Sequence, residues 1–288
     1  MANLKAIKRK IASVKNTRQI TKAMKMVAGA KLKKAQLAMN EFKPYATAYE
    51  QVIVNMTNNI LLRNSSFFQI REKISNVGFI VITSDRGLCG AFNVNIFKEV
   101  LDSIKKRNLG NNDINLYIAG KKGADFFKRH GYQINFKSGT SVKKEESSIA
   151  EELSKVVTDD FINGKIDELY IISSRYFSPI NQKPDCKKIF PFEKTRENVN
   201  AEDYVIEPDS NDEEVLSKIF NDYVKVEIDI RLFESNAGEQ ASRMNAMDNA
   251  TRNAGKLINK LTLSYNKARQ TAVTLEILDL VNGANALK

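Results

Sequence analysis

A glycine-containing turn at residues 84–90, SDRGLCG, is the segment best placed to carry chemistry. It follows an apolar, strand-like run and precedes a helical pattern, which is where open α/β sheets bind phosphates. Gly87 permits a tight turn and Arg86 could meet an anion, but Asp85 would repel a phosphate, and the segment matches neither G-x-G-x-x-G nor a Walker loop. The spacing favours a strand-to-helix turn with a surface arginine.

A second turn and a thiol are the other candidates. Residues 119–126, AGKKGADF, place two lysines between glycines but lack the P-loop spacing, so they predict a turn leading into a helix. Cys89 could be a nucleophile near a helix N-terminus. Because His130 is the only histidine, a multi-histidine metal site is excluded and a Ser/His arrangement is disfavoured. We expect Cys89 to be inert, and we predict no catalytic residue, cofactor or metal.

The charge of the chain is concentrated at one end. Lys and Arg number 45 against 34 Asp and Glu, a formal +11, and residues 1–43 alone hold twelve bases and one acid. The apolar content of 42% with 27% charged residues is typical of a folded globular protein. No run approaches a membrane span, and the N-terminus lacks the apolar core of a signal peptide. Two cysteines without a C-x-x-C pair predict reduced thiols in a cytoplasmic compartment.

The basic N-terminal arm has three interpretations. It could bind nucleic acid or an anionic membrane, form the solvated face of a coiled coil, or dock against acidic protein surfaces. No aromatic residue precedes Phe42, so a base-stacking platform is missing from the arm. Charge alone leaves these interpretations open.

Both ends of the chain read as long helices, residues 1–60 and 210–288. Each end carries apolar or small residues at alternating spacings of three and four, which predicts a coiled coil. The two ends must run antiparallel if the middle of the chain sits at one end of the pair. Four seam positions near the middle of the first helix interrupt the pattern: Arg18, Thr21, Lys25 and Ala28. The apolar residues of that stretch move to a neighbouring face: Ile20, Ala23, Met24 and Val27.

The second helix is too long for a compact protein. A helix over 212–286 would measure ~110 Å at 1.5 Å per residue. A compact chain of this length is only ~50 Å across. The helix must therefore project, and the small, mixed seam suggests that it depends on an external sheath. The final residues, VNGANALK, would have no helix to pair with if they overshoot the first one.

The middle, residues 74–195, alternates strands and helices. Strands are predicted at 77–84, 114–120, 132–136, 168–174 and 186–192, the last as an edge strand because of Pro191. Helices are predicted at 93–108, 121–130 and 147–163. This order predicts a central open, mainly parallel α/β (Rossmann-like) domain with helices on both faces. Residues 193–211 read as an acidic linker.

Three segments resemble the gamma subunit of bacterial F-type ATP synthases. They are IKRKIASVKNTRQITKAMKMVAGAKLKKAQ (7–36), SDRGLCGAFN (84–93) and EQASRMNAMDNATRNAGKLINKLTLSYNKARQTAVTLEILDLVNGANAL (239–287). The resemblance implies a rotor shaft, one copy per complex, turning inside a hexamer of alpha and beta subunits. It further implies contacts with an epsilon subunit and the membrane ring of c subunits, coupling of ion flow to ATP synthesis or hydrolysis, and no nucleotide chemistry in the chain itself.

The resemblance also assigns roles by motif position. Contacts to the beta subunits are implied for six residues: Met24, Lys25, Glu239, Arg243, Gln270 and Thr274. Three further residues belong to a loop of the lower domain, with no partner assigned: Asp85, Arg86 and Gly87.

The resemblance predicts a peripheral protein on the cytoplasmic face of a bacterial inner membrane. The start at Met1, six residues before the motif, leaves no room for a mitochondrial presequence. Because the chain lacks an inserted pair of cysteines, we predict no thiol regulation. Two other functions stay open. An α/β enzyme using loop 84–90 would lose activity on Arg86→Ala, and a basic coiled-coil nucleic-acid binder would lose affinity steeply with salt. The shaft interpretation predicts no nucleic acid.

Overall fold

The computed structural model describes residues 2–57, 67–68, 71, 74–139, 146–192 and 212–286. Its first helix, α1, spans Ala2–Thr57 and continues through Pro44, and its last helix, α5, spans Asp212–Ala286. The predicted end of α1 at residue 60 and the predicted linker at 193–211 lie outside the described residues. The chain forms two compact units, Met1–Gly29 with Arg243–Lys288 (the paired-helix unit) and Ala30–Ser242 (the sheet unit).

The sheet unit is built on five strands in the order β3-β2-β1-β4-β5. The strands are β1 Val77–Ile82, β2 Ile114–Ala119, β3 Ile134–Ser138, β4 Glu168–Tyr176 and β5 Gln182–Phe190. The helices between them are α2 Phe92–Lys106, α3 Lys121–Arg129 and α4 Glu146–Ile162. All neighbouring strands are parallel except β4 and β5. The predicted fold class, a mainly parallel open sheet between two long terminal helices, is confirmed.

Each face of this sheet buries its own apolar core. Phe79 and Val81 of β1 belong to the core formed with α2 and α3. Ile80 and Ile82 belong to the opposite core, which α4 closes together with residues of α1 and α5 such as Ile53 and Phe220. Because both faces are covered, β1 reads as a continuous apolar run rather than an alternating one.

The strand ends differ from the sequence prediction by one or two residues, and two strands also begin at another residue. β5 begins at Gln182 rather than 186, because β4 runs on to Tyr176 and the two strands close an antiparallel hairpin. β3 begins at Ile134 rather than 132, because the amide of Tyr132 still donates to the carbonyl of Phe127 in α3, 3.1 Å away. Both differences arise from hydrogen bonds near the strand starts, which apolar patterning does not encode.

Candidate partner-binding surfaces

The paired-helix unit holds its two segments in an antiparallel register. The ammonium of Lys25 lies 2.6 Å from a carboxylate oxygen of Asp248, and the hydroxyls of Thr21 and Thr251 lie 2.8 Å apart. Two glycines lie opposite residues in the same register. A Cβ added to Gly29 would stand 3.6 Å from the Met244 sulfur, and one added to Gly255 would stand 4.0 Å from the Arg18 guanidinium. The residue numbers of each pair add to 272 or 273, so the register is unbroken.

The seam of this unit mixes small, polar and larger apolar side chains. Among the described residues, its buried positions are Thr21, Ala28, Met247, Ala254 and Ile258. Thr21, Ala28 and Ala254 give shallow knobs and little apolar area, so the pairing is weaker than that of a seam filled with Leu and Ile.

The predicted second face of α1 is present. Ile20 and Val27 are 59% and 56% exposed, while Thr21 and Ala28 beside them are buried in the seam. An apolar stripe therefore faces away from α5, next to the half-buried Met24.

Lys25 has a partner within the chain. Besides its contact with Lys25, the Asp248 carboxylate lies 3.1 Å from the guanidinium of Arg252. The hydrogen bond from Lys25, with the charges of both bases, holds the pKa of Asp248 below its usual value. The side chain of Lys25 is still 44% exposed, so its outer surface stays open to solvent.

The end of α5 runs past the start of α1. By the observed register, Ala2 lies level with about residue 270, so the later residues have no α1 residue opposite them. Six apolar side chains in that stretch are 48 to 74% exposed: Val273, Leu275, Ile277, Leu278, Leu280 and Val281. We call these six residues the apolar tip.

The other implied contact residues divide between the units. Gln270 and Thr274 are exposed at the base of the apolar tip, and the Thr274 hydroxyl donates to the Gln270 carbonyl of its own helix, 2.9 Å away. Arg243 is half-buried in the paired-helix unit, whereas Glu239 is half-buried in the sheet unit.

Loop 84–90 of the sheet unit uses its polar groups internally. The amide of Ser84 donates to Asn93 Oδ1 at 3.1 Å, and Asn93 Nδ2 donates to Ser84 Oγ at 2.7 Å and to the buried Cys89 sulfur at 3.4 Å. Asp85 Oδ1 accepts from the amide of Lys121 at 3.0 Å. Arg86 and Gly87 are exposed at the turn. The arrangement braces a strand-to-helix turn, as the spacing predicts.

The glycines of the 119–126 turn serve close packing rather than a ligand. Gly120 has φ of +118°, and a Cβ there would stand 2.3 Å from the carbonyl oxygen of Thr83. The amide of Gly123 donates to Thr83 Oγ1 at 3.0 Å, and an added Cβ would meet that oxygen at 2.7 Å. Thr83 thus fills the space beside both glycines.

Among the residues that the structure describes, no group of three or more His, Cys, Asp or Glu side chains is placed to hold a metal ion. None of the helices, as far as the structure describes them, is long and apolar enough to span a membrane.

Comparison with known proteins decides the family. A family profile described as ATP synthase matches residues 3–287. The ATP synthase gamma chain of Moorella thermoacetica is 37% identical over 289 residues, covering 100% of both chains. The chain belongs to the ATP synthase gamma family. The resemblance carried by the three sequence segments is confirmed, and this gamma-family chain is a central-stalk subunit of a rotary ATP synthase.

Solved structures share the fold of this gamma-family chain. The rotor of the Euglena gracilis mitochondrial ATP synthase matches with a TM-score of 0.65 at 19% identity, over 94% of this chain and 99% of that one. The central stalk and c-ring structure of the Tetrahymena thermophila mitochondrial ATP synthase matches with a TM-score of 0.62 at 25% identity, over 80% and 99%. The likeness therefore extends over both terminal helices and the sheet.

Proposed function

We propose that the chain is the non-catalytic shaft of an F-type ATP synthase. It turns as one copy inside a hexamer of alpha and beta subunits, and contacts an epsilon subunit and the membrane ring of c subunits. Rotation driven by ion flow through the ring couples to ATP synthesis on the beta subunits, and hydrolysis drives the shaft backwards. The complex holds the chain as a peripheral protein on the cytoplasmic face of a bacterial inner membrane.

The observation that carries this proposal is the apolar tip. Six apolar side chains on consecutive turns at the end of α5 are about half exposed or more. An exposed apolar patch of this kind marks a protein interaction site. Encasement by an apolar ring of a larger assembly would bury the tip from all sides, which one flat partner would not do.

Most of the proposed contacts to the beta subunits lie in the paired-helix unit, which also carries the apolar tip. Met24 and Lys25 lie beside the exposed stripe of Ile20 and Val27, and exposed bases surround it. Basic side chains on a weakly interlocking surface suit a part that must slide against acidic levers, because screened charge contacts hold without locking. Arg243, Gln270 and Thr274 are proposed to hydrogen-bond to beta-subunit loops in the course of rotation, with Glu239 contributing from the sheet unit.

The non-catalytic role is supported by what loop 84–90 does. Ser84, Asp85, Cys89 and Asn93 hydrogen-bond to one another or to the neighbouring turn. Side chains committed to bracing a turn are poorly available to activate a substrate. The partner of the exposed part of the loop, Arg86 and Gly87, is left open.

The assembly is tested by purifying the tagged chain from its cells in mild detergent. We expect two larger nucleotide-binding subunits at three copies each per copy of this chain, with ATPase activity in the complex and none in the chain alone. A chain that purifies alone, and binds nucleic acid or a small ligand, would overturn the proposal.

The contact residues are tested with a matched pair of variants. Thr271 and Thr274 are both exposed, and both bond a carbonyl of their own helix. We expect Gln270→Ala with Thr274→Ala to slow ATP hydrolysis by the complex several-fold, because each lost hydrogen bond costs about 1 kcal/mol. Thr271→Ala should leave the rate unchanged. Equal rates in both variants would remove Gln270 and Thr274 from the proposed interface.

A further inference from the structure

A buried ion network joins three elements of the sheet unit. Lys187 of β5 donates to Glu50 of α1 at 2.8 Å and to Glu227 of α5 at 3.0 Å. Arg231, one turn along α5, donates to Glu227 at 2.7 Å and to Asp185 of β5 at 2.8 Å. We call these five residues the junction network. Both long helices are thereby tied to the same edge strand.

The centre of the junction network is withdrawn from water. The side chains of Arg231 and Glu227 are only 6% and 8% exposed, while Glu50 and Asp185 at its ends are 49% and 37% exposed. Burial alone would raise the pKa of Glu227, yet Lys187 and Arg231 hold that pKa below its usual value. The central groups are therefore charged at neutral pH, and every one of them has a directed partner.

Apolar packing does not close this part of the unit. A cavity of about 370 Å³ lies against the network and is lined from α1, β4, β5 and α5. On its wall, the Glu234 carboxylate stands 3.7 Å from Arg175 Nε, and its Oε2 has no hydrogen-bond donor among the described residues. At this gap, the hydrogen-bonded charges connect the helices to β5, beside the apolar core that Ile53, Phe190 and Phe220 share.

The two kinds of contact differ in how they resist sliding. Apolar attraction is non-directional, so an apolar core fixes its elements against small shifts only where side-chain shapes interlock, and a cavity removes that interlocking. Charge-assisted hydrogen bonds are short and oriented. A buried ion pair adds little stability compared with apolar residues of the same volume, and its best-attested benefit is a fixed geometry.

We infer that the junction network is a torsional clamp, which prevents α1 and α5 from shifting along β5 when torque passes between the sheet and the helices. This inference rests on the proposed function, because only a rotating shaft carries such torque. It makes Lys187, Glu227 and Arg231 positioning residues for energy coupling, although they touch no nucleotide.

The test uses the assembled complex and measures torsional stiffness. A bead is attached at Lys128→Cys on the exposed surface of α3, the alpha and beta subunits are fixed to glass, and the angular variance of the bead is recorded in a catalytic pause. The variant replaces Lys187, Glu227 and Arg231 together by Met, which keeps the volume and removes the directed contacts. We expect the angular variance to rise, because the triple variant loses the three charge-assisted hydrogen bonds that hold α1 and α5 against β5. The thermal midpoint should stay near that of the parent.

Controls separate a clamp from a general structural role. Lys187→Arg keeps the charge and should keep the stiffness. Lys155→Met breaks an exposed ion pair with Glu151 within α4 and should change nothing. If the triple variant does not assemble, Arg231→Lys keeps the charge but loses one of the two directed contacts, and should give an intermediate variance.

The outcomes are distinguishable. Unchanged variance in a triple variant that assembles, or in Arg231→Lys where it does not, would overturn the clamp and leave the rotor proposal intact. A larger angular variance accompanied by a clearly lower thermal midpoint would show that the network serves folding alone, and would also overturn the clamp. Absence of rotation in the parent complex would refute the proposed function instead.

Discussion

Replacing Gly120 by Ala should destabilise the sheet unit far more than an ordinary surface change. The φ of +118° at this position is nearly inaccessible to Ala, which costs about 1–3 kcal/mol. In addition, the new Cβ would stand 2.3 Å from the Thr83 carbonyl oxygen, a backbone atom that cannot rotate away. Overpacking of this kind costs about 1–3 kcal/mol, so we expect a total of about 2–6 kcal/mol.

Gly131 provides the matched control for this substitution. It also has a positive φ, +78°, but a Cβ there meets nothing within 4 Å. Gly131→Ala should therefore cost only the left-handed strain of about 1–2 kcal/mol.

Thermal unfolding followed by circular dichroism separates the two variants. At about 2–4 °C per kcal/mol for a chain of this size, Gly120→Ala should lower the midpoint by roughly 4–24 °C and Gly131→Ala by a few degrees. Equal shifts in the two variants would refute the close-approach argument. A Gly120→Ala chain of normal stability that loses binding of inorganic phosphate would restore the phosphate-site interpretation.

Three further predictions concern single residues. Burial alone would raise the pKa of Asp167, but two backbone amides and Arg71 hold that pKa below its usual value. The ionised carboxylate therefore stabilises the fold at pH values above the ordinary Asp pKa, and this stabilisation is lost as the pH falls through the folded-state pKa. Asp167→Asn should lower the thermal midpoint at neutral pH and make the midpoint less dependent on acid pH. Cys89 is 2% exposed and should alkylate more slowly than the half-buried Cys186 in the native chain, as mass spectrometry would show, and fast labelling of Cys89 would contradict its structural role. Met24→Lys should lower ATP-driven ion pumping relative to hydrolysis in the complex, because a longer cation adds a strong contact to an acidic lever, and unchanged pumping would count against the assigned surface.

Periodicity predicted the parts of the fold that depend on one repeated spacing. The 3-4 pattern of both ends predicted that the two helices pair. The polar seam positions such as Thr21 predicted a separate face for Ile20 and Val27, as the structure has them. Strand and helix order predicted the parallel sheet because apolar runs of strand length alternate with amphipathic helices.

The individual side-chain contacts that join α5 to the sheet were not predictable. The i, i+4 spacing of Glu227 and Arg231 is visible in the sequence and suggests an ion pair on one helix face. That Lys187 and Asp185 of a strand some forty residues earlier complete the network depends on the packing of α5 against β5, which no local pattern encodes. The sequence likewise marks Gly120 as a turn residue, but its reason, the approach of Thr83, appears only in three dimensions.

The unbroken register of the paired helices has an evolutionary consequence. Because paired residue numbers keep a constant sum from Gly29 opposite Met244 to Arg18 opposite Gly255, any insertion in one segment displaces every pair beyond it. A single inserted residue also rotates the following seam by about 100°, since a helix has 3.6 residues per turn. Insertions and deletions in the two helices should therefore occur together and in multiples of seven residues, although residues 30–242 separate the two segments along the chain.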